Sequence, residues 1–426
     1  MYNRKLLTFF LSIITLSFNP GYSQLSLNYI ALTGITIIDA AHPNGLSNQT
    51  VIIKANTIIQ IFADGSKPLP DAVNVINLKG KYLIPGLIDT HVHMATDPSD
   101  IDNRASTLNV LNRMLYSGIT SVRDMAGDAR TLAGLARDAM TGDIISPDIY
   151  YSALMAGPSF FEDPRTISGT KGLISGKAPY MRGISDTTNL TLAVAEAKGT
   201  GATGIKLYAE LSAPLAAKII AEAKRQGMKI WGHAWLQGAK PSDLVKAGIH
   251  SISHAPLLIY ENLDSIPSSW KKKVHDEQFW IDSVPQNKAL FRLMKEHDVI
   301  LDATLFTFKQ EDISRNYRYA IGKRLTELAY KAGVKVCAGT DDDQTKFVQT
   351  EMQLLVDELG FSNINALIAA TEFGAEAIGI EKTRGTVEVN KIADLVILDK
   401  NPLDNISNVN TVFMVIKNGK IFKKDN

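Results

Sequence analysis

One cysteine in 426 residues excludes an intrachain disulfide and any zinc site built on several thiolates. Charge of either sign is scarce in excess: Lys plus Arg number 45 and Asp plus Glu 44, a net of +1. Nucleic-acid-binding domains usually carry a clear basic surplus, so no such partner is expected. No internal repeat or low-complexity tract is present, and the 30 Gly and 16 Pro follow no triplet period. Beyond residue 24 no apolar run reaches the roughly 20 residues of a membrane-spanning helix. What is there is ordinary globular composition, 45% hydrophobic and 21% charged, which excludes a wholly disordered chain. Any metal must be held mainly by histidines and carboxylates.

Residues 1–24 read differently. Arg4 and Lys5 precede an apolar run of 13 residues, Leu6 to Phe18, and Gly21-Tyr22-Ser23 follows with small residues. This is the pattern of a secretory signal peptide, with cleavage expected after Ser23 or Gln24. No cysteine follows the run, so a lipid anchor is not expected. The mature protein is expected to be exported, periplasmic or secreted, and off the membrane.

The mature chain divides in three. Residues 25–83 and 385–426 read as short β-branched strands bounded by Asn, Gly, Ser or Pro. Neither end encloses a large core alone, so one small β-sandwich built from both is expected. Between them, residues 84–384 alternate strand-like apolar runs with helical stretches such as Leu190 to Lys198 and Ala213 to Gln226. The strands fall at 83–93, 118–126, 147–155, 203–208, 228–235, 249–254, 298–303 and 334–341. Eight strands alternating with helices predict a (β/α)8 barrel, an α/β fold whose chemistry sits at the C-terminal ends of the strands. Segment 257–297 is too long for a plain connection and reads as an insertion near the barrel mouth.

Candidate chemistry falls at those strand ends. His91 and His93 end the first strand, and residues two apart on a strand share a face. Lys206 ends the fourth strand, His233 the fifth, His254 the sixth and Asp341 the eighth. All but the lysine are ordinary ligands for a borderline or hard cation. A lysine joins such a set only as its carbamate, an anion formed when the neutral amine adds carbon dioxide.

The run Pro85-Gly86-Leu87-Ile88-Asp89-Thr90-His91-Val92-His93, together with Lys206, His233, His254, Asp341, Ala393-Asp394-Leu395-Val396-Ile397-Leu398-Asp399 and Asn401-Pro402-Leu403, resembles the amidohydrolase superfamily. The chain is most similar to its imidazolonepropionase-related and Xaa-Pro dipeptidase-like branch. The resemblance covers roughly residues 30 to 420. It implies two divalent ions, zinc first among Zn, Mn, Co and Fe. It puts His91, His93 and Asp341 on the more buried ion and His233 and His254 on the other, with carboxylated Lys206 bridging. It further implies attack on a carbonyl by a metal-bridging hydroxide, with Asp341 moving the proton to the leaving nitrogen. Asn390 stands where the family's tail motif has Gly, and Asn tolerates the same left-handed backbone. Ala255-Pro256 after His254, where related chains often have Gly, is expected to reshape the pocket rim.

The expected reaction is hydrolysis of an amide or peptide bond in a small substrate such as a dipeptide or N-acyl amino acid. A lactonase or cyclic-amide hydrolase is the alternative on the same centre, and a non-enzymatic binding protein a remote third. Monomer and homo-oligomer are both compatible with the sequence. Tyr208 and Trp235, each two residues past a candidate ligand, could contact substrate or simply wall the mouth. Arg123, at the end of the second strand, could bind a substrate carboxylate or form a salt bridge beneath the site. His42, His250, His275 and His297 are not expected to be ligands, and Cys337 reads as a buried, inert thiol. Asp342 and Asp343 extend the acidic stretch after the eighth strand.

Overall fold

Tyr82–Pro85 and Leu87–Val92 are consecutive strands in different sheets, divided at Gly86. The apolar run expected as one strand over 83–93 is therefore two. A side chain at position 86 would collide with Thr120, and the Gly86 amide donates to Asp394 of the far chain end. The computed structural model describes residues 29–95, 104–262, 284–309, 316–341 and 347–423. The expected leader, residues 263–283 of the expected insertion with His275, and Asp342 and Asp343 lie outside these.

The first sheet has eight strands and draws on both chain ends. Tyr29–Ile37 pairs antiparallel with Leu46–Lys54, which pairs with Thr57–Ala63. Tyr82–Pro85 lies between Tyr29–Ile37 and Leu395–Leu398, with Val396 opposite Ile84. Val412–Lys417 and Lys420–Phe422 complete that side. Side chains from both ends, among them Leu32, Ile35, Val51, Leu395 and Ile416, share one buried cluster. Neither end could bury these alone. Asn390 adopts φ 74°, the left-handed backbone expected of it.

The second sheet carries eight parallel strands in chain order: Leu87–Val92, Ile119–Asp124, Asp148–Ala156, Gly204–Leu207, Lys229–His233, Ser251–Ser253, Ile300–Asp302 and Val336–Cys337. Hydrogen bonds from Thr90 N to Ala338 O (3.1 Å) and from Asp341 N to His91 O (2.8 Å) join the last strand to the first. The result is a nearly closed (β/α)8 barrel beside a small β domain. Several barrel strands are buried at every residue, as a sheet covered on both faces requires. The helices turn an apolar stripe inward. In Ala213–Arg225 the buried residues are Leu215, Ala216, Ile219, Ile220 and Ala223, the spacing of one helical face. Ser212 caps this helix through the Leu215 amide and Asn189 caps Leu190–Gly199. Arg384 forms ion pairs with Asp148 and Asp394 at 2.7 Å each, clamping the small sheet to the barrel. No described helix is long and apolar enough to cross a membrane.

Candidate functional site

Parallel strands of one barrel end at a common rim, so residues 91, 93, 206, 233, 254 and 341 are brought to one place by topology. His93, Lys206, His233, His254 and Asp341 line a cavity of about 410 Å3. His91 is completely buried, its Nε2 3.4 Å from Asp341 Oδ1. Asp341 Oδ1 also lies 3.1 Å from His93 Nε2. Donor atoms of His91, His93 and Asp341 all fall within 4.8 Å of one another. His233 and His254 make a second group, with Nε2 atoms 3.0 Å apart. The His91 and His254 ring centroids are 4.9 Å apart, so the groups adjoin.

The remaining polar atoms of the rings are engaged behind the site. His93 Nδ1 donates to Ala126 O (3.3 Å) and His254 Nδ1 lies 2.8 Å from Thr304 Oγ1. His91 Nδ1 donates to Asp302 Oδ2 (2.8 Å), which leaves Nε2 with a bare lone pair. That Nε2 is buried and has no hydrogen-bond partner in the protein. A ring held in this tautomer by a carboxylate behind it is the arrangement of a metal-binding histidine. The donor set, two imidazoles and a carboxylate beside two further imidazoles, suits a divalent cation.

Charge states agree with this reading. Burial pushes His91 and His233 below the ordinary imidazole range and His254 down to about 3. Neutral imidazole is the form that binds metal. Burial alone would raise Asp341, yet His91 and the hydrogen bond with His93 hold its carboxyl well below the usual range. Lys206 is buried with Nζ 2.8 Å from Met125 O. Burial brings its ammonium down to about 8. His254 and Asp341 have φ of 73° and 50°, a sparsely populated backbone for residues other than Gly. Such strain is commonly held at functional sites.

The amidohydrolase family profile matches residues 82–422. The chain belongs to the amidohydrolase family. It is therefore an enzyme, a hydrolase acting on carbon–nitrogen bonds. Ochratoxinase from Aspergillus niger is 25% identical over 394 residues, spanning 80% of this amidohydrolase and 75% of that protein. A prolidase crystallised with N-methylphosphonate-L-proline superposes with a TM-score of 0.74 at 26% identity, covering 93% of this chain and 100% of that one. A Xaa-Pro dipeptidase with bound methionine shares the fold, with a TM-score of 0.71 at 21% identity over 93% of this chain and 100% of the other.

Of the residues considered for substrate, this amidohydrolase places Tyr208 and Trp235 on the cavity wall. Tyr208 packs over His233 at 3.9 Å and Trp235 stacks on Tyr260 at 3.7 Å. For Arg123 the substrate-binding reading is corrected and the salt bridge beneath the site holds, with Asp302 as the partner. The Arg123 guanidinium is fully buried inside the barrel and does not line the cavity. It donates to Thr90 O, Ser251 Oγ, Ala377 O and Asp302 Oδ2. Because strand residues alternate between faces, Arg123 points into the barrel interior, and a guanidinium there is held by the floor rather than offered to a substrate. Pro256 is buried and packs toward Gly322, so the rim at this point is formed by Leu257 and Tyr260. Cys337 is buried 3.4 Å from Thr90 Oγ1, and burial raises its thiol far above the range of a reactive thiolate.

Sequence reasoning missed Asp302, Arg165 and Gln237. Asp302 accepts from His91, Arg123, Ser253 and Thr90. Its signal was an acid directly after the apolar run Val299-Ile300-Leu301 at a strand end. Arg165 and Gln237 reach the cavity from connections whose paths no periodicity reveals.

Proposed function

We propose that this amidohydrolase hydrolyses an amide or peptide bond of a small substrate, a dipeptide or N-acyl amino acid, at a centre for two divalent cations. The observation that carries the reading is His91 Nε2, a buried lone pair without a partner, facing His93 and Asp341 beside the His233–His254 pair. His91, His93 and Asp341 would hold one ion and His233 and His254 the other, with Lys206 bridging as its carbamate. Cations there supply a Lewis acid for the scissile carbonyl and lower the pKa of a water toward neutrality.

The chain's own groups do the rest. Asp341 takes the proton lost by the attacking water and returns it to the leaving nitrogen. Its Oδ1 lies 3.4 Å from His91 Nε2 and 3.1 Å from His93 Nε2, which puts the carboxylate beside the place where the attacking water would sit. Tyr208 lies beside His233 and donates to an oxygen of the substrate. Phe160, Trp235, Tyr260 and Phe308 give the cavity an aromatic wall against which an apolar part of the substrate packs.

The test is amine release. The metal-loaded mature protein is incubated in bicarbonate with a library of dipeptides and N-acyl amino acids, with Lys206→Ala as the blank. Amine above the blank supports the reading, and the reactive members define the substrate class. Silence from protein shown to hold metal would overturn it in favour of lactones or cyclic amides.

A further inference from the structure

Arg165 lines the cavity from a short helix, Pro164–Gly169, in the connection after the third barrel strand. Its side chain is 55% exposed, so a ligand in the cavity can reach it. A neighbour aims it. Asp163, only 11% exposed at its side chain, accepts from the Arg165 amide at 2.9 Å and from Nε and Nη2 at 3.0 and 2.9 Å. That fork occupies one edge of the guanidinium and leaves the Nη1 donors outside it. Tyr208 adjoins the guanidinium: burial raises its phenol, and Arg165 pulls it back down. Burial likewise lowers Lys206 and His233, and the Arg165 charge adds to both. Tyr208 itself packs over His233 at 3.9 Å and against Phe160 at 4.5 Å. Arg165 therefore stands beside Tyr208, within electrostatic reach of the centre.

Charge selects the ligand. Outside the centre, the charged groups among the described residues lining the cavity are Arg165, Arg318 and Asp163, two cations against one acid. An ammonium is repelled there and an anion is attracted. A carboxylate suits the geometry, since it accepts N–H bonds from a guanidinium and an O–H bond from a phenol at once. In an N-acyl amino acid or a dipeptide the terminal carboxylate is two bonds from the scissile nitrogen, so it must be held close to the centre. Arg165 meets that condition through Tyr208 and His233. Arg318 acts instead on Tyr260, whose phenol burial raises and Arg318 lowers. Arg123, locked in the barrel floor, does not reach the cavity.

We propose that Arg165, aimed by Asp163 and joined by Tyr208, binds the carboxylate of the leaving amino acid, so that the enzyme requires a free carboxylate on the amine side of the bond it cuts. This role rests on the amide-hydrolase reading above and narrows its substrate class.

Two pairs of compounds test it: N-acetyl-phenylalanine and N-acetyl-alanine, each against its primary carboxamide. Within a pair only the charge of the terminal group changes, and acetate release reads the same bond in both members. The metal-loaded wild type should favour the carboxylate member by about 100-fold in kcat/KM. Arg165→Gln removes the cation and leaves Asp163 unopposed, so the ratio should fall to about one or below. Arg165→Lys keeps the charge without the fork and should retain part of the preference. Arg318→Gln should retain most of it. A wild-type ratio near one, a ratio that Arg165→Gln leaves unmoved, or a preference lost only in Arg318→Gln overturns the assignment while leaving amide hydrolysis standing. If neither pair releases acetate, calorimetric binding of the same four compounds to the wild type and Arg165→Gln separates the two readings. Carboxylate-selective binding that Arg165→Gln abolishes keeps the subsite and removes the amide-hydrolase reading. Equal or absent binding of carboxylate and carboxamide removes the subsite.

Discussion

Asp302 and His91, more than 200 residues apart in the chain, share a hydrogen bond of 2.8 Å between Oδ2 and Nδ1 beneath the centre. The same oxygen receives Arg123 at 3.1 Å and Ser253 at 2.8 Å. Asp302 thereby fixes the His91 tautomer and neutralises Arg123 at once. Asp302→Asn should fold and lower metal affinity by about 10–100-fold. Asp302→Ala should also destabilise by about 3–5 kcal/mol, since it strands a buried guanidinium. Metal titration and urea unfolding of both variants read these effects. Unchanged metal affinity in both would remove the positioning role.

Gly339 stands between the same partners. A Cβ there would meet Asp302 Oδ1 at 2.5 Å and His91 Cβ at 2.8 Å. These atoms are fixed by the barrel, so Gly339→Ala should destabilise by about 1–3 kcal/mol through overpacking and reduce bound metal. Full metal content at an unchanged thermal midpoint would show that the close approach is not real.

Asp341→Asn separates binding from proton transfer. The amide keeps an oxygen for a cation but is a far poorer base. Most of the bound metal should remain while turnover falls by about 100-fold or more. Near-normal turnover would rule out Asp341 as the proton carrier.

Lys206→Ala should be inactive, and millimolar acetate or propionate should restore part of the activity by supplying the bridging carboxylate. Full activity without additive would mean that Lys206 bridges nothing. Activity that no carboxylic acid restores would leave it only a packing role against Met125 O.

Glu351 gives a pH test away from the centre. It is buried, accepts from the Leu305 and Phe306 amides at 2.8 Å each, and is pushed up from 4.5 to about 8 by burial. Between these values the folded protein keeps a proton that the unfolded chain has released. Stability therefore falls as pH rises through this window. Glu351→Gln should flatten that fall, read as urea midpoints from pH 5 to 8. Parallel slopes for the two proteins would place the dependence elsewhere.

The barrel was legible because each strand is a short apolar run ending in a polar or Gly residue, and because buried parallel strands need no alternation. Each expected strand has an observed counterpart, and the strand-end residues His91, His93, Lys206, His233, His254 and Asp341 meet at one rim. Two kinds of feature were not legible. Gly86 breaks a continuous apolar run because of a contact with Thr120 that only the folded chain makes. At Arg123 the sequence left open a substrate carboxylate and a salt bridge beneath the site, and the fold supplies the salt bridge, to Asp302. The burial of Arg123 depends on Asp302 and Ala377, far away in sequence. Gln237 lies in a connection where a positive φ, not periodicity, sets direction.

The hydrogen bond from Asp341 N to His91 O also sets an order of assembly. Of the three residues that could hold a metal ion together, His91 and His93 lie at the start of the barrel and Asp341 at its end, and the link between them closes the ring. Long-range pairings of this kind form late, and chains of this size acquire structure in stages. A growing chain cannot assemble that ligand set until the eighth strand has docked on the first. Metal uptake is thus a readout of completed closure, and a refolding protein should gain helical signal before it gains tight metal.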